Sequence, residues 1–119
     1  VSFAVDLVAE QRLIGRITLR DITAESARLG TYLHPAYTSQ GFGAEALTIF
    51  CGHADRVLQL ARLVLDVACD NERAIRCYRR CGFETVGAVE RSGFTFLEME
   101  RYAPATTLSL GVGARVCAA

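Results

Sequence analysis

Two glycines, Gly41 and Gly43, stand at the head of a helical run in HPAYTSQGFGAEAL (34–47), and Asn71, Tyr78 and Gly82 punctuate DNERAIRCYRRCGF (70–83). Glycines that open a helix let a ligand come close to the backbone. The free N–H groups and the positive end of the helix dipole then suit a phosphate or pyrophosphate. Three kinds of phosphate site compete for this pattern. A P-loop requires Lys and Ser or Thr directly after its last glycine, and Ala44 and Glu45 follow Gly43 instead. The dinucleotide fingerprint fits better by spacing, as Gly41-x-Gly43-x-x-Ala46 with Asp66 roughly 20 residues on. It fails on context, because residues 34–40 separate the preceding strand from Gly41 and the chain opens with an antiparallel hairpin. What survives is a pyrophosphate held by backbone N–H groups, with no catalytic metal.

The other reactive side chains say less. The five cysteines, at 51, 69, 77, 81 and 117, lack CxxC spacing and read as reduced, largely buried thiols. Cys77 and Cys81 lie one helical turn apart and would need a third ligand to hold a metal, so no metal site is expected.

The elements that must position these residues follow from periodicity. Residues 1–7 alternate large apolar residues with smaller or polar ones and form a strand, which a short turn joins to a second strand over 13–20 as a hairpin. A third strand, 27–33, stops at His34-Pro35, because proline has no N–H for the ladder. From Gly43 the period changes: Leu47, Phe50, Ala54, Val57 and Leu58 share one helical face to about residue 58. RLVLDVA (62–68) reads as a strand buried on both faces and parallel to the third. The second helix carries its own end signals, with Asn71 as N-cap, Glu72 in the first turn, Arg79 and Arg80 in the last and Gly82 beyond. Ala74, Ile75, Tyr78 and Cys81 form its inward face. Residues 83–90 and 94–102 pair through a turn at Ser92-Gly93. The order is β-β-β-α-β-α-β-β, an α/β fold with a mixed sheet covered by helices, over a domain spanning 1–104. In the 105–119 tail, Leu108, Leu110 and Val112 alternate as an edge strand would, and a disordered end fits equally.

With 119 residues the chain makes one domain, and 13 basic against 13 acidic residues give no net charge. A dedicated nucleic-acid binder would carry a basic excess, so none is expected. No apolar run approaches the ~18 residues of a membrane span, and no leader opens the chain, so a cytoplasmic protein is expected.

The two motifs together resemble those of the GNAT acetyltransferases, which take acetyl groups from acetyl-coenzyme A. The chain is most similar to the bacterial branch of ribosomal-protein, peptide N-terminal and spermidine N-acetyltransferases, over about residues 27–99. The family loop is Q/R-x-x-G-x-G/A; Gly41 and Gly43 match it, and Thr38 replaces the usual Gln or Arg. That substitution removes one side-chain phosphate contact and leaves the backbone donors of Ser39, Gln40, Gly41, Phe42, Gly43 and Ala44. The second motif, N-x-x-A-x-x-x-Y-x-x-x-G-F, is met by Asn71, Ala74, Tyr78, Gly82 and Phe83. The resemblance implies that the third and fourth strands splay, with the pantetheine arm between them on the backbone of Tyr32, Leu33 and His34. It also implies that Tyr78 donates to the coenzyme sulfur, that the Leu33 N–H polarises the acyl carbonyl, and that Asn71 helps hold the arm. The reaction would be direct attack by a primary amine: a protein N-terminus, a polyamine or a small amine.

An attacking amine must lose a proton, and the base is the least defined part. This branch often carries Glu two residues before the glycine matched by Gly30, where this chain has Arg28. Glu25 and Asp66 are the nearby acids, and His34 reads as a loop residue. Water relay is the remaining route. An acyl-enzyme on Cys69 ranks behind direct transfer, for want of a recognisable triad. The Thr38 and Arg28 departures also leave room for a different class: a GNAT-like module that binds acyl-coenzyme A, or a partner, without turnover. The family's domain normally opens with a further strand and two helices, so the acceptor half is expected to be largely absent. The apolar edge of 1–7 should then be covered by a second chain in a homodimer, by 107–112 or by upstream sequence.

Overall fold

In the computed structural model, which describes residues 1–104, 106–109 and 115–118, the expected order appears through residue 102. Strands β1 (Ser2–Leu7), β2 (Arg12–Arg20) and β3 (Ser26–Leu33) precede helix α1 (Phe42–His53). Then come β4 (Arg62–Ala68), α2 (Glu72–Arg80), β5 (Glu84–Arg91) and β6 (Phe94–Tyr102). They form a six-stranded mixed sheet in the order β1-β2-β3-β4-β6-β5, in which only β3 and β4 run parallel. β7 (Thr106–Ser109) and β8 (Arg115–Ala118) pair with each other in a separate ladder. Of the residues expected to alternate, Leu110 and Val112 lie outside the described residues.

The core lies between the helices and one sheet face. Leu47, Phe50 and Cys51 of α1 and Ile75 of α2 pack with Ile17, Leu29, Leu63, Leu65 and Met99 from the strands. α1 continues into one widened turn, Ala54–Leu58, of π-helical form. The extra width shifts the helical phase, so Val57, expected inward, is 64% exposed while Ala54 is fully buried. β4 also departs from expectation. Leu63, Leu65 and Val67 are buried, whereas Arg62, Val64, Asp66 and Ala68 on its other face are half-buried. No helix covers that face among the described residues, and charged pairs occupy it: Arg62 with Glu100, and Asp66 with Arg28 and Arg91.

The local signals read from sequence appear as physical motifs. Asn71 caps α2, its side-chain oxygen accepting from the Ala74 N–H at 3.3 Å. At the other end Gly82 takes φ +94°. The Phe83 N–H returns to the Tyr78 carbonyl at 3.0 Å and the Gly82 N–H to that of Arg79 at 3.1 Å, a complete Schellman closure. Ser92 and Gly93 both have positive φ in the two-residue β5–β6 turn, the type I′ pattern of a tight hairpin. Arg101 of β6 ties the helix ends to the sheet. It makes two 2.8 Å bonds to Asp55 and a 2.9 Å bond to the Cys81 carbonyl.

Candidate functional site

The site exists because β3 and β4 part. They pair only over Ser26–Arg62, Ala27–Leu63 and Arg28–Val64, while β4 stays paired with β6 to Ala68 and β3 with β2 to Leu33. Residues 29–33 and 65–68 therefore diverge, each held by its outer neighbour. A cavity of about 660 Å³ fills the gap and runs under the starts of both helices. That volume suits a ligand of cofactor size.

Ladder phase decides which backbone groups face this gap. The His34 N–H bonds the Ile14 carbonyl at 2.7 Å, so in the alternating antiparallel pattern His34, Tyr32 and Gly30 address β2. The odd residues address β4, as the 2.9 Å bond from the Arg62 N–H to the Glu25 carbonyl shows at the other end. Leu33 and Thr31 thus turn their polar groups into the gap, where β4 no longer meets them. Of the three residues expected to offer backbone to a pantetheine arm, Leu33 alone does so. The backbones of Tyr32 and His34 are committed to β2.

At the mouth, the loop into α1 passes through Ser39 (φ +62°) and Gly41 (φ +85°). Gly41 is the N-cap of α1 and has no side chain to cap with. The first intrahelical bond runs from the Glu45 N–H to the Gly41 carbonyl, leaving the N–H groups of Phe42, Gly43 and Ala44 without helical partners. A Cβ at Gly41 would meet nothing within 4 Å, and one at Gly43 would meet only Leu33 Cδ2 at 3.9 Å, so both glycines border open space. An anion fits here. Thr38, Ser39, Gly41, Gly43 and Ala44 line the cavity. Gln40 and His34 do not. The Gln40 amide bonds back to the Ala36 carbonyl at 2.9 Å, and the His34 Nδ1 accepts from the Ala36 N–H at 3.1 Å. The Phe42 ring lies against Tyr37.

On the opposite wall Tyr78 reaches out from α2, its ring edge-on to Phe83 and its hydroxyl 2.8 Å from the Thr31 Oγ1. Burial raises its pKa above the ordinary phenol value, and the Thr31 bond offsets that only in part. Tyr78 is therefore a protonated donor at neutral pH, aimed at the gap. Thr31 escaped notice in the sequence because a threonine on a strand carries no distinguishing pattern. Asn71 lines the cavity while its oxygen caps α2.

The acids are poor bases here. Asp66 lines the cavity, with Arg91 bonded to Oδ2 at 2.5 Å and Arg28 at 3.0 Å from Oδ1, out of line for a hydrogen bond. Burial works against its charge, yet the Arg91 bond and the two guanidinium charges prevail and hold its pKa below the ordinary carboxyl value. Glu25 sits at the far end of β3. Cys69, the cysteine considered for an acyl-enzyme, is exposed and does not line the cavity; nor does either histidine. Cys77 does line it, but burial pushes its thiol up, away from the reactive thiolate.

A mixed sheet that splays beside two helix starts, with an anion cradle on one wall and a phenol on the other, defines a class of ligand-binding α/β domain. Residues 1–84 match the acetyltransferase (GNAT) domain family, and the chain belongs to that family. It is 28% identical over 81 residues to the spermidine N(1)-acetyltransferase of Vibrio cholerae serotype O1, covering 66% of this chain. The match spans about half (47%) of that relative's length. The crystal structure of the Vibrio cholerae spermidine N-acetyltransferase in complex with CoA and spermine superposes with a TM-score of 0.78 at 24% identity, over 86% of this chain and 64% of that one. A GNAT-family acetyltransferase from Bacillus anthracis gives 0.77 at 17%, over 86% and 66%. At these identities the two structures establish a shared fold.

Proposed function

We propose that the chain is an acetyl-CoA-dependent N-acetyltransferase that passes the acetyl group directly to a primary amine. One observation carries this reading: the uncapped start of α1, through Gly43 and Ala44, and Tyr78 of α2 line the same cavity where β3 and β4 part. The site residues take the roles their positions support. The N–H groups of Phe42, Gly43 and Ala44 hold the pyrophosphate of the coenzyme, with Thr38, Ser39 and Gly41 lining its path. Asn71 flanks the arm, and Tyr32 contributes its side chain to the wall. Acetyl-CoA supplies the thioester. The Leu33 N–H polarises its carbonyl as the amine nitrogen forms the new C–N bond, and Tyr78 gives its proton to sulfur as the C–S bond breaks. The amine's proton leaves through water, since Asp66 is held as a carboxylate of low basicity.

The sheet-side mouth bears on the acceptor. Arg28 and Arg91 flank Asp66 there and Arg16 lines the same cavity, a net positive setting that suits an amine beside a carboxylate or peptide carbonyl better than a polycation. The free cysteines among the described residues support a cytoplasmic setting. With 106–109 paired to 115–118, the cover of the outer β1 edge falls to a second copy of the chain or to upstream sequence, which intact mass and solution mass together would distinguish.

The test is thiol release from acetyl-CoA against a panel of an N-terminal peptide, a polyamine and a small amine. Turnover with any of them, lowered on the order of 10²-fold in Tyr78→Phe with coenzyme affinity retained, is the expected result. Coenzyme binding with no release against any amine would make the chain a non-catalytic acyl-CoA module.

A further inference from the structure

We propose that α2, through Arg73, Arg76 and Arg80, supplies the side-chain phosphate recognition that position 38 lacks, with Arg73 on the diphosphate and Arg76 and Arg80 on the outer, 3′-phosphate of coenzyme A. The proposal rests on the transferase reading and specifies which part of the coenzyme each residue reads.

The arginine spacing is i, i+3, i+7, which places all three on one face of α2. That face is the cavity wall: each of the three lines the same space as Gly41 and Gly43. Arg73 reaches the loop itself, its Nη1 donating to the Ser39 Oγ at 2.6 Å. Ser39 is the residue after Thr38, so the guanidinium reaches the loop position next to the one where the family's Arg or Gln would offer its side-chain donors. Among the described residues neither Arg73 nor Arg80 has a carboxylate within 4.0 Å, and Arg76 has only Glu72 at 3.9 Å. Three exposed guanidinium groups without close ion-pair partners along a cavity wall are a surplus of positive charge that folding does not use. A planar guanidinium also suits bidentate contact with phosphate oxygens. Arg80 lies two turns from Arg73, roughly 10 Å along the axis at 1.5 Å per residue, so one group cannot serve both phosphates. The ligand implied is a nucleoside 3′-phosphate 5′-diphosphate extended by a flexible thiol arm.

The experiment is calorimetric titration of the full chain with CoA and with dephospho-CoA, which lacks the 3′-phosphate. Arg73→Ala should weaken both ligands by tenfold or more, the size of one charge-assisted contact. Arg73→Lys should recover part of that loss. The double variant R76A/R80A should weaken CoA by about tenfold and leave dephospho-CoA unchanged. All three side chains are exposed, and ligand-free melting temperatures equal to that of the unaltered chain verify the fold. Unchanged affinity in Arg73→Ala, or equal losses for the two ligands in R76A/R80A, would overturn the assignment while leaving the transferase reading intact. An unaltered chain that binds neither ligand would overturn both.

Discussion

Two helix starts border the same cavity and are built in opposite ways. α2 begins with Asn71, whose side chain satisfies the Ala74 N–H. α1 begins with Gly41, in a left-handed conformation and with no capping side chain, so Phe42, Gly43 and Ala44 keep their donors free. Capping residues are cheap to encode and typically worth ~1 kcal/mol, so a bare start beside a cavity implies that something else satisfies it. The capped helix provides a fixed wall that carries Tyr78; the uncapped one leaves its first donors open for a ligand.

The largest expected effect falls on the uncapped start. Gly43→Val should fold, since the new Cβ meets only the Leu33 side chain at 3.9 Å, but its branched methyls would enter the space before the donors. At coenzyme one hundredfold above its dissociation constant, the ligand stabilises the native chain by about 2.7 kcal/mol. Thermal melts of Gly43→Val should show none of that shift, with or without chelator, and NADH should give none with the unaltered chain. A retained shift would place the ligand elsewhere.

Gly41→Ala comes next. No neighbour crowds the site, but an L-residue at φ +85° costs about 1–2 kcal/mol, which denaturant unfolding would register without ligand. Asn71→Ala should cost ~1 kcal/mol from the capped start. Asn71→Asp should restore it, and if the amide also holds the arm, coenzyme affinity would stay low in that variant. Recovery of both together would make Asn71 a cap alone.

The smallest effect tests how tightly α1 is seated. Burial pushes the Cys51 thiol up to about 11, from an ordinary value of 9.0. A raised folded pKa means the stabilisation is complete below pH 9 and is lost as pH rises from about 9 to about 11. Stability should begin to fall as pH passes 9, and Cys51→Ala should remove that dependence.

Much of this was legible in the sequence, because local rules wrote it. The Asn71 cap, the Gly82 closure, the Ser92-Gly93 turn and the strand stop at Pro35 each depend on one or two residues and their neighbours. What was not legible depends on phase or on contacts across the chain. Val57 faces solvent because the last turn of the first helix widens. Tyr32 and His34 turn their backbones to β2 because one bond, His34 to Ile14, sets the ladder's alternation. β4 reads as doubly buried because Val64 and Ala68 look like core. Its second face instead holds ion pairs whose partners, Arg28 and Arg91, come from other strands. Thr31 and Arg73 gain their significance only from what stands opposite them.

The central claim concerns three amides, and hydrogen exchange reads them directly. In the free chain Phe42, Gly43 and Ala44 should exchange fast while Ala74, held by Asn71, is protected. Saturating coenzyme A should slow the first three by on the order of 100-fold and leave Ala74 as it was. Protection of Phe42, Gly43 and Ala44 without ligand, or fast exchange in its presence, would contradict the account.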